Sequence, residues 1–184
     1  MGTLVYLSLG SNLGDRIGYV QQAITLLTDH EHIQLLGHSS FYETEPLTEA
    51  PSTHSSDAQT PQDWYINVAV AIETELPPHE LLSWCQRVEQ LLGRQRDPNR
   101  PLGPRTMDVD ILFYGEQIID APNLQIPHPR LHQRACVLVP FLEISPNWMH
   151  PKLKQTISEL HQKLEAPEEV YLYGTRQLFS QLDE

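Results

Sequence analysis

Between residues 64 and 73 the chain alternates strictly, with Ile66, Val68, Val70 and Ile72 on one side and Tyr65, Asn67, Ala69 and Ala71 on the other. A period of two is that of an extended strand, whose successive side chains point to opposite faces. Residues 4–9 (LVYLSL) and 107–114 carry the same signal, and a further strand fits 33–43. Helical spacing takes over from about Asp15 to Asp29, where Ile17, Val20, Ile24 and Leu27 recur on one stripe. It returns after Pro77 and Pro78, where Leu81, Cys85, Val88 and Leu92 line up before Gly93, a residue suited to ending a helix. Apolar runs near 117–119 and 124–126 predict a short hairpin, followed by helices over about 133–144 and 156–164.

The predicted order is therefore β, α, β, β, α, β, then a hairpin and closing helices. Such an order predicts an α+β fold, a ferredoxin-like antiparallel sheet with helices on one face. No internal repeat or strong domain boundary is visible, so residues 1–184 read as a single domain. Residues 47–63 (LTEAPSTHSSDAQTPQD) hardly contain a large apolar group and read as a long mobile loop inserted within the fold.

Charge changes this picture more than composition does. Lys and Arg number 12 against 24 Asp and Glu, a formal net charge of −12, which disfavours nucleic acid and anionic membranes as partners. Yet Arg87, Arg94, Arg96, Arg100, Arg105, Arg130 and Arg134 all fall between 87 and 134. Arginines gathered in one stretch of an acidic protein point to a small anionic ligand, the alternative being that they balance nearby acids. The two cysteines, Cys85 and Cys136, are too few for a disulfide framework, and no apolar run is long enough to cross a membrane. A soluble protein of a reducing, cytoplasmic compartment is expected.

Candidate chemistry centres on RQRDPNRPLGPRTMDVDIL at 94–112. In an extended strand Asp108 and Asp110 face the same way, about 6.6 Å apart at ~3.3 Å per residue. Carboxylates so placed suit one or two hard cations, whereas a solvated strand face would account for them without any ligand. Magnesium takes few carboxylates and completes its shell with water and phosphate oxygens. Arg94, Arg96, Arg100 and Arg105 offer forked donors for the same phosphates, while Met107, Val109 and Ile111 would anchor the opposite face. GSNLGD at 10–15 lacks the lysine of a phosphate loop and reads as a turn with Asp15 or a neighbour capping the next helix. Tyr65 and Asn67, beside small alanines, form either a slot for a flat ring or a partly exposed sheet face. Glu89 suits a nucleotide or a solvated helix face equally. His128, His132 and Arg134 lack zinc-ligand spacing and suit donation to phosphate better.

Together these strings resemble the 6-hydroxymethyl-7,8-dihydropterin pyrophosphokinase family. The likeness runs through YLSLGSNLGD at 6–15, SSFYETEP at 39–46, WYINVAV at 64–70, GPRTMDVDIL at 103–112 and IPHPRLHQRACVLVP at 126–140. It implies a ferredoxin-like fold and transfer of pyrophosphate from ATP to 6-hydroxymethyl-7,8-dihydropterin, giving AMP and the pterin diphosphate. Asp108 and Asp110 would hold two magnesium ions. Arg94 and Arg105 would grip the ATP phosphates with His128 and Arg134 assisting, and Glu89 would lie beside the nucleotide. Thr44, Tyr65 and Asn67 would hold the pterin, and Cys136 stands where the family commonly places a second aromatic ring. Leu102 likewise replaces an aromatic residue before GPR. A monomer acting on these two small substrates is expected. Other metal-dependent nucleotidyl transfer would want a Gly-Ser helix just before the acids, but Gly10 and Ser11 lie far upstream. A non-catalytic module would bind Mg·ATP without consuming it.

Overall fold

The computed structural model describes residues 2–46, 63–95, 103–165 and 167–175. Of the predicted loop at 47–63, residues 47–62 lie outside them, as do Arg96, Arg100 and Leu102. Strand β1 (Thr3–Ser11) is followed by α1 (Arg16–Thr28), β2 (Ile33–His38), β3 (Phe41–Thr44), β4 (Tyr65–Thr74), α2 (Pro78–Leu91) and β5 (Asp108–Tyr114). A hairpin of β6 (Ile119–Ala121) and β7 (Leu124–Ile126), a 3-10 turn at Leu131–Gln133, α3 (Ala135–Ile144), α4 (Ile157–Gln162) and β8 (Val170–Gly174) complete the order.

The main sheet runs β5-β1-β4-β3-β8, with β2 also on β4, and its pairings are antiparallel. Alternation along β4 divides two cores as the sequence predicts. Ile66, Val68, Val70 and Ile72 join Val5, Leu7, Leu9, Met107, Val109 and Ile111 against the apolar stripes of α1 and α2. Ala69 faces the other way, with Tyr6, Leu112 and Phe113, against Leu138 and Phe141 of α3 and Ile157 and Leu160 of α4. Each large apolar side chain so buried contributes ~1.5–3 kcal/mol, enough to hold strand register firmly. The sheet therefore carries helices on both faces, where one face was expected. Every residue of α3 that is buried is apolar, so its pattern shows a helix but not the side on which it docks.

Caps fall where their chemistry places them. Asp15 accepts the Gly18 N–H at 3.0 Å and opens α1. Gly93 takes φ +80° just after α2, a left-handed turn that glycine adopts without strain.

The single strand expected over 33–43 is two strands on the same edge of β4. At the break, Ser39 Oγ accepts the Ala69 N–H at 3.0 Å, and the Ser39 N–H reaches Ala69 O at 2.8 Å. A side-chain oxygen thus stands in for a ladder carbonyl and resets the chain direction. Strand β8 was not foreseen. Tyr171, Leu172 and Tyr173 are all exposed, so no period of two marks it. It docks through pairing with β3 and through Tyr171 on Trp64, whose stacked ring centroids lie 5.8 Å apart. Among the described residues no helix is long and apolar enough to cross a membrane.

Candidate active site

Three adjacent strands build the floor of one cleft. In register, Asp108 of β5 lies opposite Gly10 of β1, which in turn lies opposite Asn67 of β4. The next residues on that face repeat the arrangement with Asp110, Ser8 and Ala69. Two strand spacings separate the acid from the amide, about 9.6 Å at ~4.8 Å per strand. Gly10 brings no side chain between them, and the Asn67 amide reaches over it. A cleft open to solvent covers this floor and is walled by Thr44, Tyr65, Arg105, His128, Arg130, Arg134 and Cys136.

The acid end is crowded with charge. Both oxygens of Asp108 are engaged, Oδ1 by Arg94 and Oδ2 by Arg105 Nη1, the latter at 2.7 Å. Arg94 Nη1 also pairs with Glu89 Oε1 at 2.5 Å. Glu89 is not on a solvated helix face: it is 4% exposed and accepts the Val109 N–H at 2.9 Å, tying α2 to β5. Asp110 makes no side-chain hydrogen bond or ion pair among the described residues. Its surface opens onto the cleft, yet enclosure at the cleft base, with repulsion from Asp108 and Glu89, pushes its carboxyl up to about 7 against the pull of Arg94 and Arg105. A divalent cation would relieve this conflict, and Asp110, open to the cleft beside Asp108, offers the kind of oxygen donor magnesium takes. Among the described residues no group of three or more His, Cys, Asp or Glu side chains forms a closed metal cage.

Arg105 is held in place by a residue the sequence reading passed over. Asn12 Oδ1 accepts the Arg105 N–H at 2.8 Å, the Asn12 N–H donates to Arg105 O at 3.2 Å, and Asn12 Nδ2 donates to Asp63 O at 3.2 Å. The GSNLGD turn is thus a clamp on the arginine segment as well as the start of a helix. Asn12 is 1% exposed, and an amide in a turn, capable of donating and accepting at once, was its only advance signal.

The amide end is built for a polar flat ligand. Asn67 Nδ2 donates to Thr44 Oγ1 at 2.5 Å, which fixes the amide plane. Tyr65 stands beside it as a wall. Across the cleft, Cys136 is buried, and burial pushes its thiol up to about 12 against the pull of Arg134. His128 Nδ1 accepts the Arg130 N–H at 3.3 Å, so the neutral ring carries its proton on Nε2. Burial, then Arg130 and Arg134, lower its pKa to about 4 and keep it neutral at pH 7. His132 is not part of this cleft and lies in a neighbouring groove with His150 and Lys152.

Of the residues singled out in the sequence, Thr44, Tyr65, Asn67, Arg105, Asp108, Asp110, His128, Arg134 and Cys136 line the one cleft. Arg94 and Glu89 reach it through Asp108 and the β5 backbone. Arg87 is exposed on α2 and takes no part.

The family model described as 7,8-dihydro-6-hydroxymethylpterin-pyrophosphokinase (HPPK) matches residues 6–146. A 2-amino-4-hydroxy-6-hydroxymethyldihydropteridine pyrophosphokinase of Bacillus subtilis is 41% identical over 144 residues, covering 78% of this chain and 79% of its own. A protein of the same name from Methylorubrum extorquens is 42% identical over 146 residues, covering 79% and 84%. In fold the chain is similar to Plasmodium falciparum HPPK-DHPS A437G with SDX-DHP, with a TM-score of 0.65 at 16% identity over 89% of this chain. The chain spans 45% of that longer protein, and the likeness concerns fold alone.

Proposed function

The chain belongs to the 7,8-dihydro-6-hydroxymethylpterin-pyrophosphokinase family and transfers pyrophosphate from ATP to hydroxymethyldihydropterin in folate synthesis; we propose that the cleft over β1, β4 and β5 carries this reaction with two magnesium ions. The pterin lies at the amide end. There Asn67, its plane set by Thr44, reads the edge of the ring, Tyr65 covers one face and Cys136 lies toward the other. The triphosphate lies at the acid end, gripped by the guanidinium groups of Arg94 and Arg105 and by Arg134. His128, neutral with its proton on Nε2, donates a hydrogen bond to a phosphate oxygen without adding charge. Glu89 holds Arg94 and the β5 backbone in place beside the nucleotide.

Asp108 and Asp110 are the residues that would hold magnesium, which when bound neutralises phosphate charge and makes the hydroxymethyl oxygen easier to deprotonate. The chain's own contribution is alignment. With the pterin fixed at Asn67 and the triphosphate at the arginines, the hydroxymethyl oxygen faces the β-phosphorus between the two ends of the cleft. The oxygen attacks that phosphorus as its proton passes to water of the open cleft, the bond from the β-phosphorus to the oxygen bridging to the α-phosphate breaks, and AMP leaves with that oxygen and the bond's electron pair. A monomer is proposed as the working unit, in a cytoplasmic setting.

One observation carries the reading: the strand register that sets Asp108, Gly10 and Asn67 in a single row of one cleft. The test is phosphorus NMR of ATP with 6-hydroxymethyl-7,8-dihydropterin. AMP and pterin diphosphate should appear in equal amounts with magnesium and not with chelator, and Asp108→Asn should slow turnover by about 10³-fold or more. Full activity in chelator, or in Asp108→Asn, would defeat the reading.

A further inference from the structure

Beyond residue 146, where the family match ends, the chain returns to the cleft. Strand β8 docks on β3, and the Glu45 N–H donates to Glu169 O at 3.0 Å, which brings Glu168 against the start of α3. Glu168 there makes two strong contacts. Its Oε1 accepts from Arg134 Nε at 2.5 Å and its Oε2 accepts the Ala135 N–H, the first of α3, at 2.8 Å. No side chain near in sequence caps that helix. A carboxylate from 33 residues downstream does so instead and gains from the positive end of the helix dipole. Arg134 in turn donates from Nη2 to Cys136 Sγ at 3.2 Å. Its guanidinium is therefore fixed on two sides where Arg134 lines the cleft.

Glu168 meets Arg134 largely out of water. Its side chain is 10% exposed and that of Arg134 24%, so both ions have given up most of their water to meet. What the pair achieves is orientation, since a planar fork binds phosphate well only when its plane is set beforehand.

We propose that Glu168 is a positioning residue for pyrophosphoryl transfer: the tail strand carries it to the cleft, where it aims Arg134 at the ATP phosphates. The proposal rests on the reading of Arg134 as a phosphate ligand. It gives the C-terminal segment a part in substrate binding without any contact between Glu168 and substrate.

The test is a double-mutant cycle in the full-length protein, with magnesium and α,β-methylene-ATP binding measured by calorimetry beside steady-state kinetics. Glu168→Ala should weaken the nucleotide and raise KM for ATP by ~10-fold, the size of a lost charged hydrogen bond, while kcat and pterin affinity change little. In an Arg134→Ala background the same substitution should have no further effect, because there is nothing left to aim. Glu168→Gln keeps one acceptor for two donors and should fall between, and it carries the test if the alanine variant does not fold. Equal losses in both backgrounds, or parallel loss of nucleotide and pterin, would reduce Glu168 to a structural cap and overturn the proposal. Failure of the wild type to form AMP, or unchanged nucleotide binding in Arg134→Ala, would instead remove the functional reading and this proposal with it.

Discussion

Asn67 and Gly10 show how one residue's absence shapes another's role. A Cβ built on Gly10 would lie 2.5 Å from Asn67 Oδ1 and 3.6 Å from the Tyr65 ring. The first contact is too close, so the amide would have to leave the plane that Thr44 sets. Gly10→Ala and Asn67→Ala should both raise the pterin Kd, by ~10-fold for the lost amide, and shift the Kd of Mg·ATP by less than about twofold. Titration calorimetry with each ligand checks this, and equal losses for both ligands would place Asn67 outside the pterin subsite. At this scale the sequence was legible where a period of two applies: it put Tyr65 and Asn67 on one face and Asp108 and Asp110 on another strand's face. It could not show that Glu89 is buried. A helix stripe marks apolar burial, and an acid just off that stripe looks solvated until its partners on β5 and in Arg94 are known.

At the scale of elements, order and boundaries followed from periodicity, caps and prolines, while contacts between distant segments did not. The division of residues 33–43 into β2 and β3 depends on Ser39 meeting Ala69, and the docking of β8 depends on pairing with β3. Neither is a local signal. The connection from α3 to α4 has the same character, because its turn is organised by a buried histidine. His150 Nδ1 accepts the Lys152 and Leu153 N–H groups at 3.2 and 3.1 Å, and its ring meets Phe113 edge-on at 5.4 Å. Protonation would place a second hydrogen against two donors. Burial, with His132 and Lys152 nearby, accordingly lowers its pKa from 6.5 to about 4. The folded state resists a proton that the unfolded chain accepts, so this stabilisation is whole above about pH 6.5 and is lost as pH falls through about 4. His128 acts in the same direction and Asp110 in the opposite one, so the informative quantity is a difference between proteins. His150→Asn keeps an acceptor but cannot titrate, and its loss of stability between pH 7 and 4 should be ~2 kcal/mol smaller than wild type. Urea unfolding at a series of pH values measures this. Parallel curves would show that His150 is not protonated on unfolding.

For the molecule as a whole, a net charge of −12 coexists with a cleft edged by Arg94, Arg105, Arg130 and Arg134. The sheet explains how. It brings β5, with the arginine segment before it, beside β1 and β4, so cations spread along the chain converge where two acids also stand. Charge clustering in the sequence pointed to an anionic ligand, and the strand alternation set two acids on one face. Their meeting in one cleft depended on the β5-β1-β4 order, and the reach of the tail to Arg134 had no sequence signal at all. The central claim is that Asp108 and Asp110 hold the divalent cations of a pyrophosphoryl-transfer site. Counting bound ions tests it most directly, with manganese in place of magnesium, α,β-methylene-ATP present and free metal followed by electron paramagnetic resonance. Wild type should bind two ions per chain and Asp110→Asn fewer, with turnover falling by about 10³-fold. Two ions and undiminished turnover in Asp110→Asn would contradict the account.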